Sequence, residues 1–593
     1  MNNKKFNEQR HNRKKQMFRF SLGVQQLLNY PILNLIWLFF AVGVGFLVIA
    51  EKKYIADMEV YPMFEPIFSA CMTAIIIIFP IICTIGIVHF FGGRVMLFNS
   101  INFFIFFPIV LIIYFVIPDK IKYLWLLVAS YYFYMCWNAK YALLILASTV
   151  ITYASGLLIE KIKQQEINEN KKQIYKKWVV AFSFILNLGI LFYFKYINFA
   201  FDILTKIMRV VHVELDAPVF DIILPVGISF YTFQTLSYTM DVYRDEIYAE
   251  KNFFRYALFV SFFPQLVAGP IERSKNMLKQ LAVPKKINFE VAREGFLLML
   301  WGYFLKIVLA DRVAIFVDTV YGDYVTYPGW YLIVASMLFA VQIYCDFAGY
   351  SIIAMGSAKI LGIELMENFN APYFSISVAE FWRNWHISLT SWFKDYLYIP
   401  LGGSRKGKLR KYFNKLIVFL VSGLWHGASF SYVAWGGING LYQIIGEVLQ
   451  PIREKIIDKG YINCNSLAHK GLRMLITFIL VDLSWIFFRA NRFLDAIEII
   501  KSIFTSKNIN VLFDDSIFNC GLDIKNFTLA ILCIGILFFA DCCKRKGIVI
   551  REIIAKQDLW FRCLFIAFCI CSILLLGKWG PSFDKASFIY FQF

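Results

Sequence analysis

Two histidines lie in apolar sequence crowded with aromatic and polar residues: His386 in FWRNWHISLT and His426 in VSGLWHGASF. The chain has six histidines in 593 residues, and His89, also in an apolar run, lacks comparable polar neighbours. An ionisable side chain is costly in hydrocarbon, and one kept there is a functional candidate by default. A buried imidazole stays neutral and accepts a proton from a hydroxyl, which suits attack of that hydroxyl on an ester or thioester carbonyl. A lone histidine on an apolar helix also has a plain structural use, a hydrogen bond to a backbone carbonyl. Two of them flanking a basic loop weigh against that use.

The polar residues between and around the two histidines are the other candidates. Asp346 stands at the end of an apolar run in QIYCDFAGYS. A carboxylate there either ties helices together, through Arg383 or backbone amides, or touches substrate. The stretch 378–398, if helical throughout, stacks Trp382, His386 and Thr390 on one face, and Glu380, Arg383 and Asn384 stand at pairing distances. It is too polar to face lipid and belongs at an interface or along a solvated cavity. Asp346, Trp382, Arg383, Asn384, Asp395 and Trp425 are therefore the expected cavity residues. The loop Gly402–Lys415 is the most basic in the chain. Its Arg405, Lys406, Lys408 and Arg410 either anchor the loop on anionic lipid or hold the phosphates of an anionic cofactor such as coenzyme A.

Several chemistries have no signature. There is no GxSxG elbow for a serine acyl-enzyme, no HExxH and no EF-hand loop. The twelve cysteines show no CxxC and sit mostly in apolar runs, so no metal site and no disulfide framework is expected.

The elements that must position these residues are membrane helices. Hydrophobic residues make up 59% of the chain, charged residues 17%, and the mean hydropathy is +0.60. Apolar runs recur from Pro31–Ala50 to Leu559–Leu576, many near the roughly 17–25 residues that cross the hydrocarbon core. We count roughly eleven to fourteen such segments, which predicts an all-α polytopic membrane protein. The net charge of +19 reflects Lys and Arg clustered between apolar runs, as the positive-inside rule requires, rather than nucleic-acid binding.

Residues 1–95 form an expected extension: a basic head, reading as a cytoplasmic signal anchor, and two hydrophobic helices. Residues 96–593 form the main domain. Positive-inside logic places both 1–19 and 161–177 in the cytoplasm, yet five hydrophobic runs lie between them. One run must fail to cross, and Ile121–Trp137 and Tyr141–Leu158 are the weakest. Glu160–Lys177 itself is expected as a long loop or an amphipathic helix.

At this point the segments become specific. QIYCDFAGYS, ENFNAPYFS, EFWRNWHISLTSWFKDYLYIPLGGSRKG and SGLWHGASFSYVAWGGING resemble the bacterial branch of the membrane-bound O-acyltransferase (MBOAT) family, within it the proteins that O-acetylate alginate, peptidoglycan and exopolysaccharide. PQLVAGPIER, SWIFFRA and FIYFQF fit the same branch. The resemblance implies a polar funnel through the membrane, with the catalytic histidine at His426 and the second polar position at His386. It implies acetyl-CoA as a cytoplasmic acyl donor and no permanently bound cofactor. The acetyl group would pass across the bacterial cytoplasmic membrane to a glycan acceptor, through an extracytoplasmic acetyltransferase partner. A D-alanyl transfer protein of the teichoic acid type shares several motifs and stays open as the alternative. A transporter using the same cavity is disfavoured, because no internal repeat is visible.

Overall fold

The structure is a computed structural model and describes residues 96–579, apart from 214–217, 219, 268 and 462. The proposed extension 1–95 lies outside the described residues. The chain divides into two compact units, Met1–Pro118 and Asp119–Phe593. In the first, Ser100 caps the apolar helix Ile101–Val116 by accepting from Phe103 N–H.

The described residues form helices and turns without a strand. Among the described residues six helices are long and apolar enough to cross a membrane, Trp330–Ile360 being the most enclosed. Of the two weak runs, the first is the helix Lys122–Met135, whose 14 residues extend only about 21 Å. The neighbouring helix Ala142–Gln164 has 23 residues, enough for the hydrocarbon core. Residues 160–177 are neither a long loop nor a separate helix. They are the tip of a hairpin between Ala142–Gln164 and Glu169–Leu191, capped by Asn168.

Lipid offers no hydrophobic drive between helices, so small and hydroxylated residues mediate their packing. Ser148 Oγ donates to Asn187 Oδ1 at 2.5 Å, and Tyr256 Oη donates to Thr152 Oγ1 at 2.7 Å. Helices Phe289–Tyr303 and Trp330–Ile360 run antiparallel and touch at two glycine pairs, Gly295 with Gly356 and Gly302 with Gly349. A methyl at any of the four would meet the partner's carbonyl oxygen at 2.5–2.8 Å. This contact fixes Asp346, near the middle of the longer helix. The helix Phe289–Tyr303 continues as a π-turn, Phe304–Ala310, which directs Lys306 towards it. A second antiparallel pair, Lys408–His426 and Phe430–Val448, closes where Gly423 meets the Tyr432 carbonyl and Gly436 the Phe419 carbonyl.

One end of the unit can be traced through contacts. Lys163 donates to the Val242 carbonyl and pairs with Asp245 at 2.6 Å. Arg244 donates to the Asp395 carbonyl, and Gly403 N–H donates to the Tyr398 carbonyl. The basic hairpin tip near residue 164 and the basic loop after residue 402 therefore share one end. His426 ends the helix that starts at Lys408, about 27 Å further along its axis.

Candidate active site

His426 is where it is because its helix stops there. Gly427 follows in an extended conformation, and Ser429 precedes the next helix. A helix end leaves its last carbonyls without intrahelical donors. Here another helix supplies the donors. Tyr196 Oη donates to the Leu424 carbonyl at 2.8 Å. Lys195 Nζ donates to the carbonyls of Trp425 at 2.7 Å and His426 at 3.0 Å. Both residues sit on a π-turn, Phe192–Tyr196, within a long apolar helix.

His386 is positioned differently. The stretch 378–398 is not one helix. It breaks into Val378–Asn384, Ile387–Phe393 and the π-turn Lys394–Tyr398, with His386 between the first two at φ 44° and ψ 55°. This left-handed conformation is uncommon for a residue with a Cβ. Asn368 secures it: its carbonyl accepts from Ile387 N–H at 2.9 Å and its Oδ1 from Ser388 N–H at 3.3 Å. Ser351 in turn holds the Asn368 amide at 3.0 Å. The expected stacking of Trp382, His386 and Thr390 on one face is therefore corrected, because the break reorients His386 relative to Trp382.

The break brings the two histidines together. Their ring centroids lie 6.5 Å apart, and the residues are 1% and 5% exposed. Aromatic rings wall them in: Phe347 stands edge-on to His386 at 4.6 Å, and Trp435 edge-on to His426 at 5.1 Å. Trp425 touches both. A cavity of about 60 Å³ adjoins His426, lined by Lys195, Gly227, Ser229, Phe230 and Trp425 among others. It has room for a few water molecules.

Asp346 is paired with Lys306 at 2.5 Å, and Lys306 also holds Asp311 at 2.7 Å. The tie between helices thus runs through Lys306 and not through Arg383, which is exposed. Trp382 is buried and donates to Asn439 Oδ1, and Asn384 donates to Ser375 Oγ. Both are engaged in packing the wall. Asp395 is half-exposed and belongs to a separate cluster, paired with Arg273 at 3.1 Å beside Tyr396 and Asp241. Arg405, Lys406, Lys408 and Arg410 are exposed, whereas Lys411 and Lys415 are engaged by Glu447. Lys195, Ser229, Asn368 and Lys306 were not anticipated. A signal existed for Lys195, a single cation in the apolar run GILFYFKYINFAF.

Outside the spans, Glu380 shows how the wall is anchored. Partial burial alone would raise its carboxyl. The Arg545 hydrogen bond at 2.6 Å, the Ile376 N–H and the charges of Arg545 and Arg383 outweigh that and hold it below the usual range.

The all-α, multi-helix architecture is consistent with a polytopic membrane acyltransferase. The chain belongs to the membrane-bound O-acyltransferase (MBOAT) family, whose model matches residues 113–462, and it is an O-acyltransferase. It is 35% identical to "Probable alginate O-acetylase AlgI" of Pseudomonas aeruginosa over 409 residues, 69% of this chain and 74% of that protein. It is 32% identical to the peptidoglycan O-acetyltransferase of Helicobacter pylori over 441 residues, 69% of this chain and 80% of that protein. The teichoic acid D-alanyltransferase of Bacillus subtilis is 28% identical over 246 residues, 38% of this chain and 59% of that protein.

Proposed function

We propose that this protein moves acetyl groups from acetyl-CoA to hydroxyls of a cell-surface or extracellular polysaccharide, with His426 as the general base. The observation that carries the reading is the juxtaposition of His386 and His426 beside a small cavity, at the far end of a helix whose near end bears the exposed basic loop. A phosphate-bearing donor is held by charge at Arg405, Lys406, Lys408 and Arg410. Its thioester reaches inward to His426, and the small cavity suits a short acyl group. His386, on its strained turn, positions the acceptor or shares the proton. The protein sits in the bacterial cytoplasmic membrane with the basic end inside, and an extracytoplasmic acetyltransferase completes transfer to the glycan. The named activities of the relatives support acetyl over D-alanyl transfer, since the acetylating relatives are more similar and covered further.

The test uses membranes, radiolabelled acetyl-CoA and the producing cell's own glycan. Label enters glycan with the wild-type protein and does not with His426→Ala present at equal level. Label from a D-alanyl carrier protein, and none from acetyl-CoA, would decide for the alternative.

A further inference from the structure

The cavity beside His426 contains a hydroxyl whose proton the fold aims by exclusion. Lys195 Nζ has three N–H bonds. Two go to the carbonyls of Trp425 and His426, and the third goes to Ser229 Oγ at 3.4 Å. The ammonium is therefore fully committed to the protein and does not itself contact substrate. Ser229 accepts from Lys195, so its own O–H points away from the ammonium. Among the described residues no acceptor takes that proton, and Ser229 lines the cavity together with His426. The serine lies in the first turn of the helix Ile228–Tyr243, held in place by Gly227. That glycine has φ 75°, and a methyl on it would meet the Leu266 carbonyl oxygen at 2.5 Å.

We infer that Ser229 is a catalytic residue that donates a hydrogen bond to the acyl oxygen in the transition state, and that Lys195 is the positioning residue that orients it and His426. The inference rests on the acyl-transfer reading. In the step, the acceptor hydroxyl gives its proton to His426 while its oxygen bonds to the acyl carbonyl carbon. The carbonyl π pair moves onto oxygen, where the Ser229 O–H meets it. Collapse reforms the C=O bond and breaks the C–S bond, and the imidazolium returns its proton to the departing thiolate. A donor aimed where charge develops acts on the chemical step and not on ground-state binding.

The experiment measures thiol release from acetyl-CoA, with the producing cell's glycan supplied as acyl acceptor, by purified wild-type protein, Ser229→Ala, Ser229→Thr, Lys195→Met, Lys195→Arg and His426→Ala, after each passes a monodispersity check in detergent. Ser229→Ala lowers kcat by about 10²–10³-fold with KM for acetyl-CoA little changed. Ser229→Thr, which keeps the hydroxyl, restores most of the rate. Lys195→Met lowers kcat by about 10²-fold through misplacement, and Lys195→Arg recovers part of it. Ser229→Ala at wild-type rate, with His426→Ala inactive, overturns the inference and leaves the acyl-transfer reading standing. Wild-type and His426→Ala proteins releasing thiol equally overturn that reading and the inference with it.

Discussion

Two buried polar clusters in this molecule solve the same problem in opposite ways. Lys306, Asp311 and Asp346 bring three ionisable groups together where each is at most 3% exposed, and hold them by ion pairs of 2.5–2.7 Å. His386 and His426 bring together two groups that can be neutral, walled by aromatic rings and joined to a cavity. The first arrangement sets one ammonium between two carboxylates. The second sets two imidazoles 6.5 Å apart among aromatic rings, beside space that a small molecule can enter. A polar residue inside a membrane protein is thus a functional candidate only until its partners are known.

The comparison breaks most sharply at His426. His426→Ala is expected to lower acyl transfer by at least about 10²–10⁴-fold. Its unfolding temperature in detergent should fall with the cavity left among Trp425, Trp435 and Phe488, so transfer is compared at equal amounts of folded protein. Retained transfer would move the chemistry away from the histidine pair.

Next is the ion cluster, where the expected effect falls on stability. Lys306→Met leaves two buried carboxylates without their shared cation and is expected to destabilise by about 3–5 kcal/mol. Thermal unfolding and membrane abundance read this out. A Lys306→Met protein of normal stability with lost activity would show that the cluster, too, takes part in catalysis.

His386 carries both features, a ring 6.5 Å from that of His426 and a left-handed backbone. Asparagine tolerates that conformation better than alanine, for which it costs roughly 1 kcal/mol or more. His386→Asn should therefore fold nearly as well as wild type while losing most activity, and His386→Ala should lose activity and some stability. Equal stability of the two would place the strain elsewhere.

How far the sequence carried these distinctions depends on the residue. Apolar runs and basic segments announced a helical membrane protein, since composition alone reports partition into lipid. The two histidines stood out as rare titratable groups in apolar context. The turn at His386 was not legible, because helical spacing through 378–398 is unbroken. What breaks it is Asn368, far enough away in sequence that no local pattern contains it. Asp346 was legible as a costly carboxylate, but its partner Lys306 depends on a π-turn and on two glycine contacts between helices. Lys195 was legible as a lone cation in an apolar run, yet its targets are backbone carbonyls, which sequence does not distinguish.

The smallest expected effect lies at the rim, where the Arg545–Glu380 pair anchors the Val378–Asn384 helix that leads into His386. Glu380 titrates below its ordinary range in the folded protein, so the pair contributes stability above the unfolded carboxylate pKa. That contribution disappears as pH falls through the lowered, folded value. The pair is partly exposed, which screens it and limits its worth to under about 1 kcal/mol. Arg545→Ala should therefore lower the unfolding temperature slightly at neutral pH, and the difference from wild type should shrink as the pH drops below about 4. A difference that persists in acid would mean that Arg545 acts through the Phe374 carbonyl, to which it also donates at 3.2 Å, and not through the carboxylate. In either case acyl transfer should change far less than with His386→Asn, because the rim pair supports the wall and not the reacting groups.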